Sequence, residues 1–432
     1  MILNFSIQNF GSIKERQTLS FEAHKSTHLE KAYVVEMGGR RILKLALLYG
    51  ANASGKTTVL KALDFLRDLV VNPENKKTEE LAFEPFLFDA EAPTQSTELS
   101  LEFVQNEVRY LYEVAFIKKA IVSETLYFYH PNKAIVYKRK TNLADEFTEI
   151  TFGSKITVEK SFAKNLEANT LWNNTVLGGY LKTNLDLKEL KEASDWFKNY
   201  LYSLVYPRTN LEGFVTSQMD RGKIAKADII MLLKKADFQI SDLVMQEEEE
   251  KISEGMLAFL KKQMKLPTEQ VAAWEERGKL TRVQIALEHT VNGSKYSLPL
   301  ALESEGTQRY FGLAGLLVLL IKKSIAFPVD ELESSLHPDL YQHFLLSFLL
   351  NAERSQLIAT THHREILDDK DVFRSDVIWF TDKNENCATE LYSLVDFDST
   401  VVRNTTNVLH VYKSGKLQGV PHIGDAYSTL SE

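Results

Sequence analysis

The sequence predicts an α/β protein with a mixed core sheet, an antiparallel β subdomain and a helical insertion. Three observations carry that expectation. An apolar strand runs into a glycine-rich turn and then an amphipathic helix within residues 41–71, strand-like runs recur at intervals of about ten residues between 98 and 152, and a second apolar strand, 325–329, ends in two acids. At 432 residues the chain allows about three structural units. We divide it into an N-terminal lobe (1–180), the helical insertion (181–282) and a C-terminal lobe (283–432).

Taken in order, Ile2–Gln8, 18–23 and 41–49 are apolar or β-rich runs between polar segments, and the third feeds the glycine-rich turn. Leu60, Leu63, Leu66, Leu69 and Val70 then recur at helical spacing over 59–71. The runs 98–104, 108–117, 121–130 and 134–138 have the spacing of an antiparallel meander. Between 186 and 278 the period turns helical, with Leu187, Leu190, Trp196, Phe197, Leu201 and Leu204 on one face and 229–233 on another. No heptad is sustained there, so no coiled-coil arm is expected. The four acids 247–250 read as a solvated helix face. Asn292-Gly293, between alternating runs in 283–300, is a hairpin signal because both residues tolerate positive φ, and the core sheet is expected to resume there.

Hydrophobic residues at 44% and charged residues at 25% are ordinary globular values, which excludes collagen-like and disulfide-rich classes. The 51 Lys+Arg against 59 Asp+Glu give a net charge of −8, so nucleic-acid binding would have to be local. Cys387 stands alone, which permits neither an intramolecular disulfide nor a cysteine zinc cage and fits a reducing compartment. The first seven residues lack a signal-peptide pattern, and the most apolar stretch, 311–321, is too short to cross a bilayer. A cytoplasmic location without membrane contact is the expectation.

The turn Gly50-Ala51-Asn52-Ala53-Ser54-Gly55-Lys56-Thr57 fits the G-x-x-x-x-G-K-[ST] phosphate loop in its required strand-to-helix context. Its glycines let backbone N–H groups surround phosphates at a helix N-terminus, Lys56 places a charge on the β/γ oxygens, and the Thr57 hydroxyl can ligand Mg²⁺. Gly50, Asn52, Ser54, Gly55, Lys56, Thr57 and Thr58 are the nucleotide-binding candidates. Such a loop does not separate kinases, GTPases, ATPases and helicases. The downstream acids do: Asp330 is suited to hold Mg²⁺ and Glu331 to orient or deprotonate the attacking water, which points to hydrolysis. Pro328 is out of keeping with a central strand and predicts a local distortion. Ser304-Glu305-Gly306-Thr307 precedes the apolar helical run 310–321 and is either a second anion site or a helix cap alone. The buried-type strand 356–361 leads into His362, either a γ-phosphate sensor or a satisfied polar residue.

These four elements in this order resemble the ABC-type ATPase heads of the RecF and SMC class. The resemblance makes Ser304 and Gly306 the signature motif, Asp330 and Glu331 the Walker B pair, 334–337 the D-loop and His362 the switch histidine. The segments 376–380, 390–394 and 412–421 are similar to the tails of RloA-like bacterial ATPases. That branch includes or neighbours ATPases of anti-phage systems such as AriA and PtuA, and the OLD-family nucleases. The resemblance covers 1–115 and 283–421. Gly11 stands where relatives often carry a basic residue near the nucleotide, so either Lys14 substitutes or the contact is absent, and Glu305 stands where many transporters have glycine.

What the resemblance implies is an ATPase with Lys56, Glu331 and His362 in the chemistry and Thr57 and Asp330 on Mg²⁺. Two ATP would be sandwiched in a homodimer or higher homo-oligomer, the signature of one protomer closing over the phosphate loop of another, as a two-state switch. The function expected is the sensor or regulatory ATPase of a bacterial anti-phage defence system that controls a separate effector protein, a nuclease or toxin. One alternative is a DNA repair or recombination ATPase, with Lys138-Arg139-Lys140, Lys261-Lys262 and Lys265 as candidate phosphate contacts. Another is an ATP-stabilised scaffold with little turnover, motivated by Pro328 alone. A metal nuclease built on His337, His362, His363, Asp368 and Asp369 is disfavoured, because adjacent side chains on a strand point to opposite faces.

Overall fold

The computed structural model describes residues 1–251, 279–369, 372–397, 408–417 and 419–420. The chain forms two compact units, Met1–Arg208 with Leu320–Ser334 and Phe344–Glu432, and Thr209–Leu319 with Ser335–His343. The opening of the first unit runs β1 (Ile2–Gln8), β2 (Gln17–Ser20), the one-turn α1 (Glu30–Tyr33), β3 (Val34–Met37), β4 (Arg40–Leu43), β5 (Leu45–Gly50) and α2 (Lys56–Val71). The meander follows as β6 (Thr97–Gln105), β7 (Val108–Ile117), β8 (Ala120–Tyr129), β9 (Lys133–Asn142) and β10 (Phe147–Phe152), then α3 (Lys160–Asn169), α4 (Val176–Tyr180) and α5 (Lys188–Asn199).

The meander does not stand apart from the N-terminus. β1 pairs antiparallel with both β2 and β6, giving one seven-stranded sheet in the order β10-β9-β8-β7-β6-β1-β2. Along β7 the buried residues are Tyr110, Tyr112, Val114 and Phe116, at the period of two that a one-face-buried antiparallel strand requires. That face receives α5, whose Trp196 stacks on Phe103 with ring centroids 4.3 Å apart and whose Phe197 meets Tyr112 edge-on.

In the second unit the described elements are α6 (Leu211–Asp220), α7 (Lys226–Lys235), β11 (Asp242–Lys251), β12 (Lys279–Val291), β13 (Ser294–Pro299) and the start of α8 (Glu305–Lys322). The chain continues through β14 (Ala326–Val329), α9 (Pro338–Asn351), β15 (Gln356–Thr360), β16 (Ile378–Lys383), β17 (Thr389–Ser393) and α10 (Val408–Lys413). In the first unit these strands complete a five-stranded sheet, β14-β15-β5-β16-β17, parallel except for β17. Every residue of β5 is buried, as expected of a strand covered on both faces. Among the described residues no helix is long and apolar enough to cross a membrane.

Several expectations need correction. The run 41–49 is two strands broken at Lys44, which turns its buried ammonium to the carbonyls of Leu349 and Ala352, 2.7 and 2.8 Å away, at the end of α9. The hairpin at Asn292-Gly293 is present, with φ of 51° and 78°, but it builds a separate sheet, β11-β12-β13, and does not rejoin the core. The acids 247–250 lie on strand β11, paired with β12, where cross-strand pairing overrides low intrinsic β preference. The two compact units meet in the chain at 208/209, with α5 on the side of the sheet it packs on, and the second unit extends through β13 into α8. The Lys138-Arg139-Lys140 run is not a three-cation patch: strand alternation buries Arg139 beside Glu124 and against the Thr148 hydroxyl. Lys261, Lys262 and Lys265 lie outside the described residues.

Replacing Lys44 would leave two buried helix-end carbonyls without their donor. Lys44→Met is expected to lower unfolding free energy by about 1–3 kcal/mol, read from urea denaturation.

Candidate active site

The C-terminal ends of the parallel strands β14, β15, β5 and β16 lie side by side, the position where open α/β sheets bind ligands. From the end of β5 the chain turns through Gly50 at φ 156°, Ala53 at 64° and Gly55 at 109° before α2 begins at Lys56. Gly55 has no alternative: a Cβ there would sit 2.2 Å from Thr389 Oγ1. Gly55→Ala is therefore expected to weaken nucleotide binding at this loop by at least about tenfold, measured by calorimetric titration, because the loop must move to clear the clash.

Behind the loop lies a hydroxyl cluster that the sequence reading did not single out. Ser54 Oγ is 2.6 Å from Thr381 Oγ1, Thr389 Oγ1 donates to the Ser54 carbonyl at 2.8 Å, and Ser12 Oγ lies 2.8 Å from Thr389 Oγ1 and 3.0 Å from Thr58 Oγ1. The Ser54 and Thr58 side chains thus brace the loop from β16, β17 and the β1–β2 turn, while Asn52 is exposed at its tip. Lys14, the candidate substitute for a basic residue at Gly11, is paired with Asp89 at 2.7 Å.

Lys56 is buried, and its ammonium donates to the carbonyls of Gly50 and Ala51 at 2.9 and 3.0 Å. Burial holds it below the ordinary lysine range, opposed by the charges of Asp330, Glu331 and Glu333. Thr57 and Asp330, far apart in sequence, meet: the Thr57 hydroxyl is 3.0 and 3.1 Å from the two Asp330 oxygens. A hydroxyl with a carboxylate is an all-oxygen donor set of the kind Mg²⁺ takes.

Thr360, at the end of β15, is a positioning residue that the sequence reading passed over. Its hydroxyl donates to Asp330 Oδ1 at 2.7 Å and accepts the Glu331 N–H at 2.7 Å, so one side chain sets both acids. Glu331 is exposed and has φ 47°, an uncommon value for a non-glycine residue and a mark of a constrained site. Glu333 was also missed; its Oε1 accepts the His362 N–H, tying the acid turn to the histidine. The signal for it was the Asp-Glu-x-Glu spacing, and for Thr360 a hydroxyl closing a fully apolar strand. Burial and the nearby Lys56 charge hold the His362 imidazole below its ordinary value, against the pull of Glu333, Glu331 and Asp330.

The first unit therefore gathers Lys56, Thr57, Asp330, Glu331 and His362 at the C-terminal ends of its parallel strands. Ser304 and Gly306 belong to the second unit. There Ser304 accepts the Thr307 N–H at 3.1 Å as the cap of α8, and a Cβ on Gly306 would approach the Ser335 carbonyl to 3.1 Å. Ser304 and Glu305 are exposed.

Residues 45–368, well over half of the chain, match the family model described as "AAA domain, putative AbiEii toxin, Type IV TA system". Among solved structures, the SMC head domain from Thermotoga maritima aligns with 13% identity and a TM-score of 0.40, covering 91% of this chain and 98% of that one. An SmcHead bound to the C-winged helix domain of ScpA aligns with 10% identity and a TM-score of 0.46, covering 91% and 97%. A Smc head domain with an extended coiled coil, bound to the C-terminal domain of ScpA derived from Pyrococcus furiosus, gives 10% and 0.38 over 91% and 97%. No curated protein matches the chain.

Proposed function

We propose, because the chain belongs to this AAA-domain family, that it binds ATP with Mg²⁺ and hydrolyses it to ADP and phosphate, using the turnover as a switch. The observation that carries the reading is the meeting of Thr57 with Asp330 beside Glu331, at the mouth of a phosphate loop. Backbone N–H groups from Asn52 to Thr57 and the α2 N-terminus would hold the phosphates, with Lys56 leaving its two carbonyls for the β/γ oxygens. Thr57 and Asp330 would hold Mg²⁺, which supplies charge neutralisation at those oxygens. Glu331 takes a proton from the attacking water, and His362 is suited to donate a hydrogen bond toward the γ-phosphate.

We further propose that the working form is a homodimer or higher homo-oligomer in which Ser304 and Gly306 of one protomer close on the ATP of another. What supports this is the exposure of Ser304 and Glu305 at the start of a long helix and the sequence resemblance above. The proposed role is the sensor or regulatory ATPase of a bacterial anti-phage defence system, acting on a separate nuclease or toxin, and rests on the tail segments.

The test combines phosphate release with the mass of the purified protein, with and without ATP·Mg²⁺. Turnover with an ATP-dependent gain in mass supports the reading. A protein that binds ATP but releases no phosphate would be the scaffold instead, and a monomer indifferent to ATP would remove the sandwich.

A further inference from the structure

Pro328 interrupts the acid strand, and the structure shows what answers it. On the side away from β15, β14 is flanked by the segment 200–205. The Ala326 N–H bonds to the Tyr200 carbonyl at 2.7 Å and the Tyr202 N–H to the Ala326 carbonyl at 2.9 Å, an ordinary parallel pattern. Two residues on, the same pattern would bring the Leu204 N–H to the Pro328 carbonyl and the Pro328 N–H to the Tyr202 carbonyl. Proline has no N–H. The ladder instead slips by one residue: the Val205 N–H takes the Pro328 carbonyl at 2.9 Å, and the Asp330 N–H takes the Val205 carbonyl at 2.8 Å. The bridges agree, pairing Leu201 with Ala326 but Val205 with Val329, so the flanking segment carries an extra residue, a bulge.

The bulge expels the Leu204 N–H from the ladder, and Asp64 on α2 accepts it at 2.9 Å through Oδ1. Arg67, one turn along the same helix, donates its Nε to the Leu201 carbonyl at 2.7 Å. Asp64 is half-buried, and burial raises its carboxyl above the ordinary range, a cost that a surface acid would not carry.

We propose that Asp64 is a positioning residue for Asp330 and Glu331: by capping the amide that the Pro328 bulge frees, it fixes the register in which the flanking segment holds the acid strand against the phosphate-loop helix. Because Asp64 and Thr57 share α2, the helix that would supply one Mg²⁺ ligand, Thr57, also sets the position of the other, Asp330. The activity arm of the test rests on the ATPase reading, and the structural arm does not.

Four variants decide it: Asp64→Ala, Asp64→Asn, Pro328→Val and the Asp64→Ala/Pro328→Val double. In hydrogen exchange followed by mass spectrometry, Asp64→Ala is expected to exchange at least about tenfold faster in peptides spanning 200–206 and 326–331, with Asp64→Asn, which keeps the acceptor, near wild type. In turnover, Asp64→Ala is expected to lose about 10- to 100-fold in kcat and to need more Mg²⁺ for half-maximal rate, with KM for ATP little changed. Pro328→Val restores a ladder donor, so Asp64→Ala should cost less in that background. Unchanged exchange in Asp64→Ala overturns the proposal whatever the activity. Equal losses for Ala and Asn, with KM rising in step with the fall in kcat, would reduce Asp64 to a structural acid. Should Asp64→Ala fail to fold, the same comparison between Asp64→Asn and Asp64→Ser stands. A wild type without turnover would sink the ATPase reading while leaving the exchange result to judge Asp64.

Discussion

Glu331→Gln is expected to lower ATP turnover by about 10²- to 10⁴-fold, the range a positioned general base contributes, while ATP affinity stays near wild type. The amide keeps the shape of the side chain and the backbone N–H that Thr360 holds at 2.7 Å, so the constrained φ of 47° survives the change. What is lost is the proton acceptor. Lys56, Thr57 and Asp330 are untouched, and with them the groups that would hold ATP·Mg²⁺. Single-turnover phosphate release alongside equilibrium ATP binding separates the two effects. If release slows less than about tenfold, water activation does not depend on Glu331, and another acid at the site, Glu333 first, has to be tested. If affinity falls in proportion, the substitution has disturbed the loop and not the chemistry.

The fold was legible in sequence wherever one period or one turn chemistry acted alone. β1 is read at its observed bounds, and the phosphate loop sits between its strand and helix because glycine, lysine and threonine at that spacing serve one geometry. The meander followed from turn spacing. What sequence did not show is pairing at long range. That β1 joins the meander sheet, or that the 292–293 hairpin leaves the core, depends on which edges meet, and local pattern carries no information on that. Lys44 broke a run that hydrophobicity alone would continue, because its partners are carbonyls some three hundred residues away. In the site, the residues proposed to act directly were named from type and position. Thr360, Glu333 and Asp64 work through other residues, by hydrogen bonds to amides or carboxylates, and a threonine or an acid that does so is indistinguishable in sequence from one on the surface.

Lys56→Met should abolish ATP binding at concentrations that saturate the wild type, a loss of at least about 100-fold in affinity, because charge-assisted contacts to phosphate oxygens contribute about 1.5–3 kcal/mol each. Its effect on the free protein should be small. Burial holds the folded Lys56 below the ordinary lysine value, so the charged ammonium is less favourable in the fold than in the unfolded chain. Unfolding then takes up protons between the lowered folded value and the ordinary one, and this contribution to stability rises with pH across that window and is smallest below it. Near neutral pH the lysine therefore does not support the nucleotide-free fold through its charge. The opposing attraction of Asp330, Glu331 and Glu333 reduces that penalty without reversing its direction. Lys56→Met, which keeps the stem and removes the charge, relieves that penalty but also takes the donor from the Gly50 and Ala51 carbonyls, so the two effects offset and the melting temperature without nucleotide should stay close to wild type. It should also erase the rise in melting temperature that ATP·Mg²⁺ produces in the wild type by mass action. Paired thermal melts with and without ATP·Mg²⁺ read both effects at once. A variant that melts well below wild type in the absence of nucleotide would mean that the Gly50 and Ala51 carbonyls need their cation, and that Lys56 holds the loop together before any phosphate arrives.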